Sequence, residues 1–387
     1  MLTFARSVGY AVVKKPEGYT TAKVDQIIQE YEKKSANAQQ STAKQYPNII
    51  TVVNETFADI KVLGNFKTNE DYMPYFHSLK KNCVTGYTYA SIVGGQTANT
   101  EFELLTGNTL GFLSAGTTAF QLYIHGQMPS LVSNLKAEGY SGNKAMHPFN
   151  PYNYNRPAVY KDFGFTDFID KFDFPKNVKR VREYISDEAN VDCIISEYEK
   201  NRKKTDQPFY MYNMTIQNHS PYDKDAANFK QPIKIESSKY DAEANRYLNL
   251  IKYSDDSLKQ LTSYFEKCKE PTIILFLGDH QPRLTDEFMN KITNGQYQTW
   301  SSEQMMKRYQ VPFVIWANYD IKEQHIEKTS MNYIQSILTK TAGVKMTGYQ
   351  RFLNEVRKEV PTITSQGYWG KNGKFIRLMI KDHHIMV

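Results

Sequence analysis

Two rhythms of apolar and polar positions run along the chain. Around residues 22–34 the apolar positions Val24, Ile27, Ile28 and Tyr31 recur at helical spacing, which predicts an amphipathic helix. The polar stretch KSANAQQSTAKQYPN (34–48) reads as a linker onto the main fold. At NIITVVN (48–54) the rhythm changes, with β-branched and apolar residues filling both faces, the pattern of a strand buried in a parallel sheet. PFYMYNMTIQ (208–217), TIILFLGDH (272–280) and VPFVIWA (311–317) repeat that pattern. Helical periods lie between them: a helix starting at Thr97, a largely helical stretch at 117–140, a long amphipathic helix at 242–267, and one at 329–343 closed by Gly343. MHPFNPYNYNRPAVYKDFGF (146–165), rich in Asn, Pro and aromatics, reads as an ordered loop.

Strands alternating with helices predict an α/β fold with a mainly parallel central sheet and helices on both faces. Beyond about residue 355 the chain turns polar, with a short strand candidate at 374–380. The expected division is therefore 1–47 as N-terminal helix and linker, 48–355 as the main domain, and 356–387 as a small C-terminal β-containing subdomain or an edge of the same domain.

Composition narrows the function classes. The net charge of +7 over 387 residues is mild and the basic residues are scattered, which argues against nucleic acid as a partner and suits an anionic membrane or cell-wall surface equally well. Cys83, Cys193 and Cys268 are too few and too far apart for a disulfide framework or a zinc ribbon. No apolar run approaches the ~20 residues of a membrane span, and the N-terminus lacks the pattern of a signal peptide. The chain as written reads as soluble.

The candidate chemistry gathers where strands end. In open α/β sheets ligands bind beyond the carboxyl ends of the strands. Glu55 follows the first buried strand, His219 the second, and Asp279 and His280 the third. In GGQTANTEFE (94–103) a glycine turn delivers Thr97 to the start of a helix, where a hydroxyl either caps the helix or acts as a nucleophile. Taken singly, a strand-end acid is a cap and a lone histidine a structural residue. Taken together, two carboxylates, an imidazole and a hydroxyl form an oxygen-rich ligand set suited to Mn²⁺ or Mg²⁺, with Zn²⁺ as the alternative. A phosphate bound there also needs donors, which His147 and Arg156 in the aromatic loop can supply. This grouping favours metal-assisted phosphoryl or sulfuryl transfer through Thr97. Glu101 and Glu103 read as structural, Glu101 pairing with nearby Asn or backbone groups.

PNIITVVNETFADI, GGQTANTEFELLTGNTLGFL, NHSPY and LGDHQP, in that order over about 48–282, resemble the extracellular catalytic domain of lipoteichoic acid synthases and related glycerol phosphate transferases, members of the alkaline phosphatase/sulfatase superfamily. The resemblance extends to the streptococcal branch that adds glycerol phosphate to a cell-wall polysaccharide. It implies a sulfatase/alkaline phosphatase-like fold, a metal site of Glu55, Thr97, Asp279 and His280 holding Mn²⁺, Thr97 as nucleophile, and a substrate pocket with His147, Arg156 and His219. His219 is expected to act as acid and base, and Asn99 to donate to glycerol or phosphate. The implied donor is phosphatidylglycerol and the acceptor a cell-wall polysaccharide or teichoic acid, at the extracellular face of a Gram-positive-type plasma membrane. Such domains follow membrane helices, so the chain is expected to be a soluble domain excised from an anchored protein. The alternatives are a synthase that polymerises glycerol phosphate and a phosphodiesterase or phosphatase with water as acceptor. Sulfatase activity is disfavoured because no C/S-x-P-x-R sequence occurs.

Overall fold

In the computed structural model, which describes residues 15–36, 46–114, 116–236, 242–381 and 384–386, strand β1 (Asn48–Asn54) is buried at every residue, as its two-faced apolar pattern requires. It lies inside an eight-stranded sheet with β2 (Cys83–Tyr89), β3 (Ser141–His147), β4 (Asp167–Asp170), β7 (Phe209–Met214), β8 (Thr272–Gly278), β9 (Gln310–Ala317) and β10 (Gln324–Ser330). A short ladder of β5 (Arg180–Val181) and β6 (Tyr184–Ile185) stands apart from it. The spatial order is β10-β2-β9-β8-β1-β7-β3-β4. Strand β9 pairs antiparallel with β2 and β8, while every other neighbouring pair is parallel. Residue Val53 of β1 is level with Met214 of β7, and Asn54 with Gly278 of β8, so these strands finish side by side.

Helices cover both faces. On one side Ile49 and Val53 pack with Phe102 of α2 (Thr97–Thr106), Tyr160 of α3 (Arg156–Phe163) and Ile334 and Leu338 of α6 (Met331–Thr341). On the other, Ile50 and Val52 meet Val191 and Ile194 of α4 (Asp187–Arg202) and Leu248, Ile251 and Leu258 of α5 (Ala242–Phe265). The N-terminal amphipathic helix is α1 (Thr21–Ala36), and its Tyr31 meets Phe352 of α7 (Gly348–Glu359) edge to face at 5.4 Å. The expected boundary at 355/356 falls inside α7. Most of the expected linker lies outside the described residues.

Four strands of the sheet lack the apolar signature and differ from expectation. In β2, CVTGYTY carries polar residues and Gly86, where an added Cβ would lie 2.0 Å from the Ile326 carbonyl oxygen, a close approach that only glycine permits. In β3, SGNKAMH is polar at its start and its register shifts between Gly142 and Lys144. Strands β4 and β10 lie at the two edges of the sheet, where one side is solvated. The stretch 117–140 contains only the short helices Ala119–Leu122 and Leu131–Ala137, because Gly126 (φ 153°) and Pro129 break it and Ser130 caps a new start. At the C-terminus β11 (Thr362–Ile363), β12 (Gly367–Trp369) and β13 (Phe375–Arg377) form a small antiparallel sheet whose Trp369 packs on Tyr89 at 5.2 Å. Among the described residues no helix is long and apolar enough to cross a membrane.

Candidate active site

The carboxyl ends of four adjacent strands, β8, β1, β7 and β3, open onto one hollow of about 100 Å³. Glu55 follows β1, Asp279 and His280 follow β8, His147 ends β3, and His219 lies five residues beyond β7. Strand β2 runs in the same direction and leads through Gly94 and Gly95 to Thr97. Glu55, Thr97, His147, Arg156, His219 and His280 all line this hollow.

Three ligand groups meet at its floor. One side-chain atom from each of Glu55, Asp279 and His280 lies within 4.8 Å of the others, and all three residues are buried. The Asp279 Oδ1 accepts from the backbone N–H of Thr56 at 2.7 Å and of His280 at 2.8 Å, leaving Oδ2 buried without a partner. His280 Nδ1 lies 2.9 Å from the Gln281 carbonyl oxygen, so that nitrogen donates and Nε2 of the neutral ring keeps a bare lone pair. That Nε2 is also buried without a hydrogen-bond partner, 3.2 Å from Asp279 Oδ2 and 3.9 Å from Glu55 Oε1. Buried unpaired acceptors facing one another are costly unless a cation lies between them. The donor set fits a divalent metal ion, and the Gln281 carbonyl orients the imidazole as an outer partner does in metal sites. Burial, reinforced by the Asp279 charge, pushes the Glu55 carboxyl well above its usual range, with the Arg156 charge and the nearby Thr97 hydroxyl pulling the other way.

Thr97 is the first residue of α2, not its cap. The N-cap position is held by Gln96 in the left-handed region (φ 63°, ψ 37°) with no side-chain capping bond. A non-glycine residue there costs about 1–2 kcal/mol. The turn places Thr97 at the positive end of the helix, in the same hollow as Glu55, and that end favours an anion. Gly94 (φ +68°) is fixed as glycine twice over, because a Cβ would also meet the Arg283 Cβ at 3.0 Å.

His147 is buried with Nδ1 2.9 Å from the Met214 carbonyl oxygen. Burial and the nearby Arg156 charge hold its pKa well below the usual value, so the ring is neutral and presents a bare Nε2. His219 is half-buried, donates from Nδ1 to the Ser220 carbonyl at 2.6 Å, and stacks near Phe149 at 6.3 Å.

Arg156 lines the hollow but its charge is already matched. Its Nε and one terminal nitrogen donate to Glu101 Oε1 at 3.1 and 2.7 Å, and the pair is fully buried. The other Glu101 oxygen accepts from the hydroxyls of Tyr160 and Tyr212. Glu101 thus pairs with a cation and two phenols rather than with Asn or backbone. It lies one turn after Thr97 on α2, so the helix carrying Thr97 also anchors the arginine. Asn99 is not brought into this group. Its amide donates to the Thr117 carbonyl at 2.7 Å and accepts from Ala119 N–H at 2.9 Å, and it lines a separate hollow behind the glycine turn.

Two further residues had no clear signal in the sequence. Arg182, between β5 and β6, donates to the carbonyls of Gln217, His219 and Pro221 at 2.7–2.8 Å and so fixes the loop bearing His219. Arg283, three residues after His280, lines the hollow from the outside and is exposed. Its nearness to the DHQP motif was the one available hint.

The same fold, a mainly parallel α/β sheet, occurs in a protein of the alkaline phosphatase superfamily from Vibrio parahaemolyticus, with a TM-score of 0.65 at 16% identity over 94% of this chain and 92% of that one. The chain belongs to the sulfatase family, whose model matches residues 47–344. A Rhizobium meliloti protein named for cyclic β-1,2-glucan modification is 32% identical over 381 residues, covering 96% of this chain and 57% of that protein. Lipoteichoic acid synthase of Staphylococcus aureus is 26% identical over 246 residues, covering 60% of this chain and 35% of the synthase. The chain thus spans only part of these curated relatives. Streptococcus pyogenes phosphoglycerol transferase GacH, solved with sn-glycerol-1-phosphate, has the same fold, with a TM-score of 0.76 at 21% identity over 90% of this chain and 89% of that one.

Proposed function

We propose that the chain transfers glycerol phosphate from phosphatidylglycerol, through a covalent Thr97 intermediate, to a hydroxyl of a cell-surface glycan. The observation that carries this reading is that Thr97, the first residue of α2, lines the same hollow as Glu55 and His280, where Asp279 Oδ2 and His280 Nε2 are buried without partners. The names of the relatives support it, among them a phosphoglycerol transferase and a glucan modification protein. Glu55, Asp279, His280 and Thr97 would hold a divalent ion, Mn²⁺ by preference. That ion would supply the positive charge that makes a hydroxyl more acidic at neutral pH.

In the first half-reaction a bond forms from Thr97 Oγ1 to phosphorus and the bond to the diacylglycerol oxygen breaks. The Thr97 hydroxyl proton passes to solvent, which returns one to the Thr97 oxygen when that oxygen is later displaced, and a second proton reaches the diacylglycerol oxygen. His219 delivers the latter from Nε2, since Nδ1 is engaged with Ser220. In the second half-reaction His219 takes the acceptor's proton and the acceptor oxygen displaces Thr97. The hydrogen-bonded Arg156 guanidinium helps hold the phosphoryl oxygens, and neutral His147 contacts the glycerol hydroxyls. The aromatic rings of Phe149, Tyr154 and Tyr184 near His219 offer flat faces on which a sugar can stack. Donor lipid and glycan meet at the outer face of a plasma membrane, where the reaction is placed.

The test is a headgroup-labelled phosphatidylglycerol assay with Mn²⁺ and a glycan, a polyglycerol phosphate or water as sole acceptor. The reading predicts label on the glycan in step with diacylglycerol release. Release with label only as free glycerol phosphate contradicts transfer, and label on polyglycerol phosphate alone contradicts the glycan acceptor.

A further inference from the structure

A phosphoryl group brings negative charge into a hollow that already contains carboxylates, so the charges lining it decide what it attracts. Among its lining residues Arg156 is neutralised by Glu101 at 2.7 Å, and His147 is a buried neutral ring. His219 and His280 each donate Nδ1–H to a backbone carbonyl. Arg283 differs from all of them. It is exposed, lines the same hollow, and forms no ion pair among the described residues. Its backbone is fixed against the turn that delivers Thr97, with Gly94 N–H donating to the Gln281 carbonyl at 3.0 Å and the Arg283 Cβ seated over Gly94.

We propose that Arg283 is the specificity-determining cation of the pocket, binding the non-bridging oxygens of the substrate's phosphoryl group. The proposal rests on the phosphoryl-transfer reading above. Physically, Arg156 contributes directed N–H groups with little net charge, whereas Arg283 contributes an uncompensated charge and a planar fork suited to two phosphate oxygens. Being exposed, it attracts anions through solvent, so its contribution weakens with salt.

The experiment is calorimetric binding of sn-glycerol-1-phosphate to the Mn²⁺-loaded chain at low and high NaCl, for the unmodified protein, Arg283→Ala and Arg283→Lys, with Mn²⁺ binding and the thermal midpoint measured alongside. Arg283→Ala is expected to weaken binding about tenfold to a hundredfold, the range for losing a charge-assisted hydrogen bond. It should also flatten the salt dependence while Mn²⁺ binding and the midpoint persist, and Arg283→Lys should recover part of the affinity. Unchanged affinity in Arg283→Ala, when the unmodified protein binds, overturns the proposal alone. Loss of Mn²⁺ binding or of the fold together with phosphate binding also overturns it, by showing a structural role. Failure of the unmodified protein to bind overturns the proposal together with the reading it rests on.

Discussion

Replacing Glu101 by Ala tests whether the arginine of the hollow is held as described. Arg156 and Glu101 are 1% and 0% exposed, so removing the carboxylate leaves a guanidinium buried without its counter-charge. Breaking a buried pair from one side costs ~3–5 kcal/mol. The hydroxyls of Tyr160 and Tyr212 lose their acceptor as well, for ~1 kcal/mol each. The expected loss is therefore about 5 kcal/mol or more, a large share of the ~5–15 kcal/mol that holds a typical domain. Urea unfolding of the metal-free chain, followed by tyrosine fluorescence and circular dichroism, measures it. Adding Arg156→Met to Glu101→Leu should recover stability relative to Glu101→Leu alone, because the unpaired charge is then gone. A Glu101→Ala midpoint that corresponds to less than ~1 kcal/mol, or a double variant less stable than either single one, would refute the reasoning.

Glu103 gives a pH signature. Burial raises its pKa from 4.5 to about 7, against hydrogen bonds from Leu110 N–H, Ser91 and Thr109 that lower it. Because the folded state binds this proton more tightly, stability should fall as pH rises from about 4.5 to about 7, by about 3 kcal/mol at most. Glu103→Gln, which keeps an acceptor for Leu110, should remove that slope in unfolding titrations. Asp279→Asn should abolish calorimetric Mn²⁺ binding yet leave the metal-free protein as stable or more so, since one of two facing buried carboxylates is removed. Retained micromolar Mn²⁺ binding in that variant would exclude the assigned ligand set. Arg182→Ala should lower kcat with little change in Mn²⁺ affinity, because it frees the loop that carries His219; an unchanged kcat would show that the loop holds itself.

The parts of the fold legible from sequence were those where burial alone decides. NIITVVN and TIILFLG sit between neighbours on both sides, so every residue must be apolar or internally satisfied, and the pattern reports it. CVTGYTY and SGNKAMH were not legible, because Gly86 answers to a carbonyl on a strand some 240 residues away in sequence and Gly142 to a register shift. Tertiary contacts of that kind leave no local trace. The meeting of Glu55, Asp279 and His280 was legible because strand ends in a parallel sheet converge, so these residues could be grouped from their places in the pattern. Charge compensation was not. The sequence shows that Arg156 and Glu101 exist, but only the packing of α3 on α2 shows that they neutralise each other. Asn99 failed for a related reason, its amide being taken by the backbone at 117 and 119, a segment whose course past α2 no periodicity reveals.

The central claim is that Thr97 carries the transferred group. Intact-protein mass spectrometry after brief incubation with phosphatidylglycerol and Mn²⁺, followed by peptide mapping, tests it most directly. The account predicts an added glycerol phosphate on the peptide containing Thr97, lost in Thr97→Ala and discharged when acceptor is supplied. Substantial transfer by Thr97→Ala, or an adduct mapped to another residue, would contradict it.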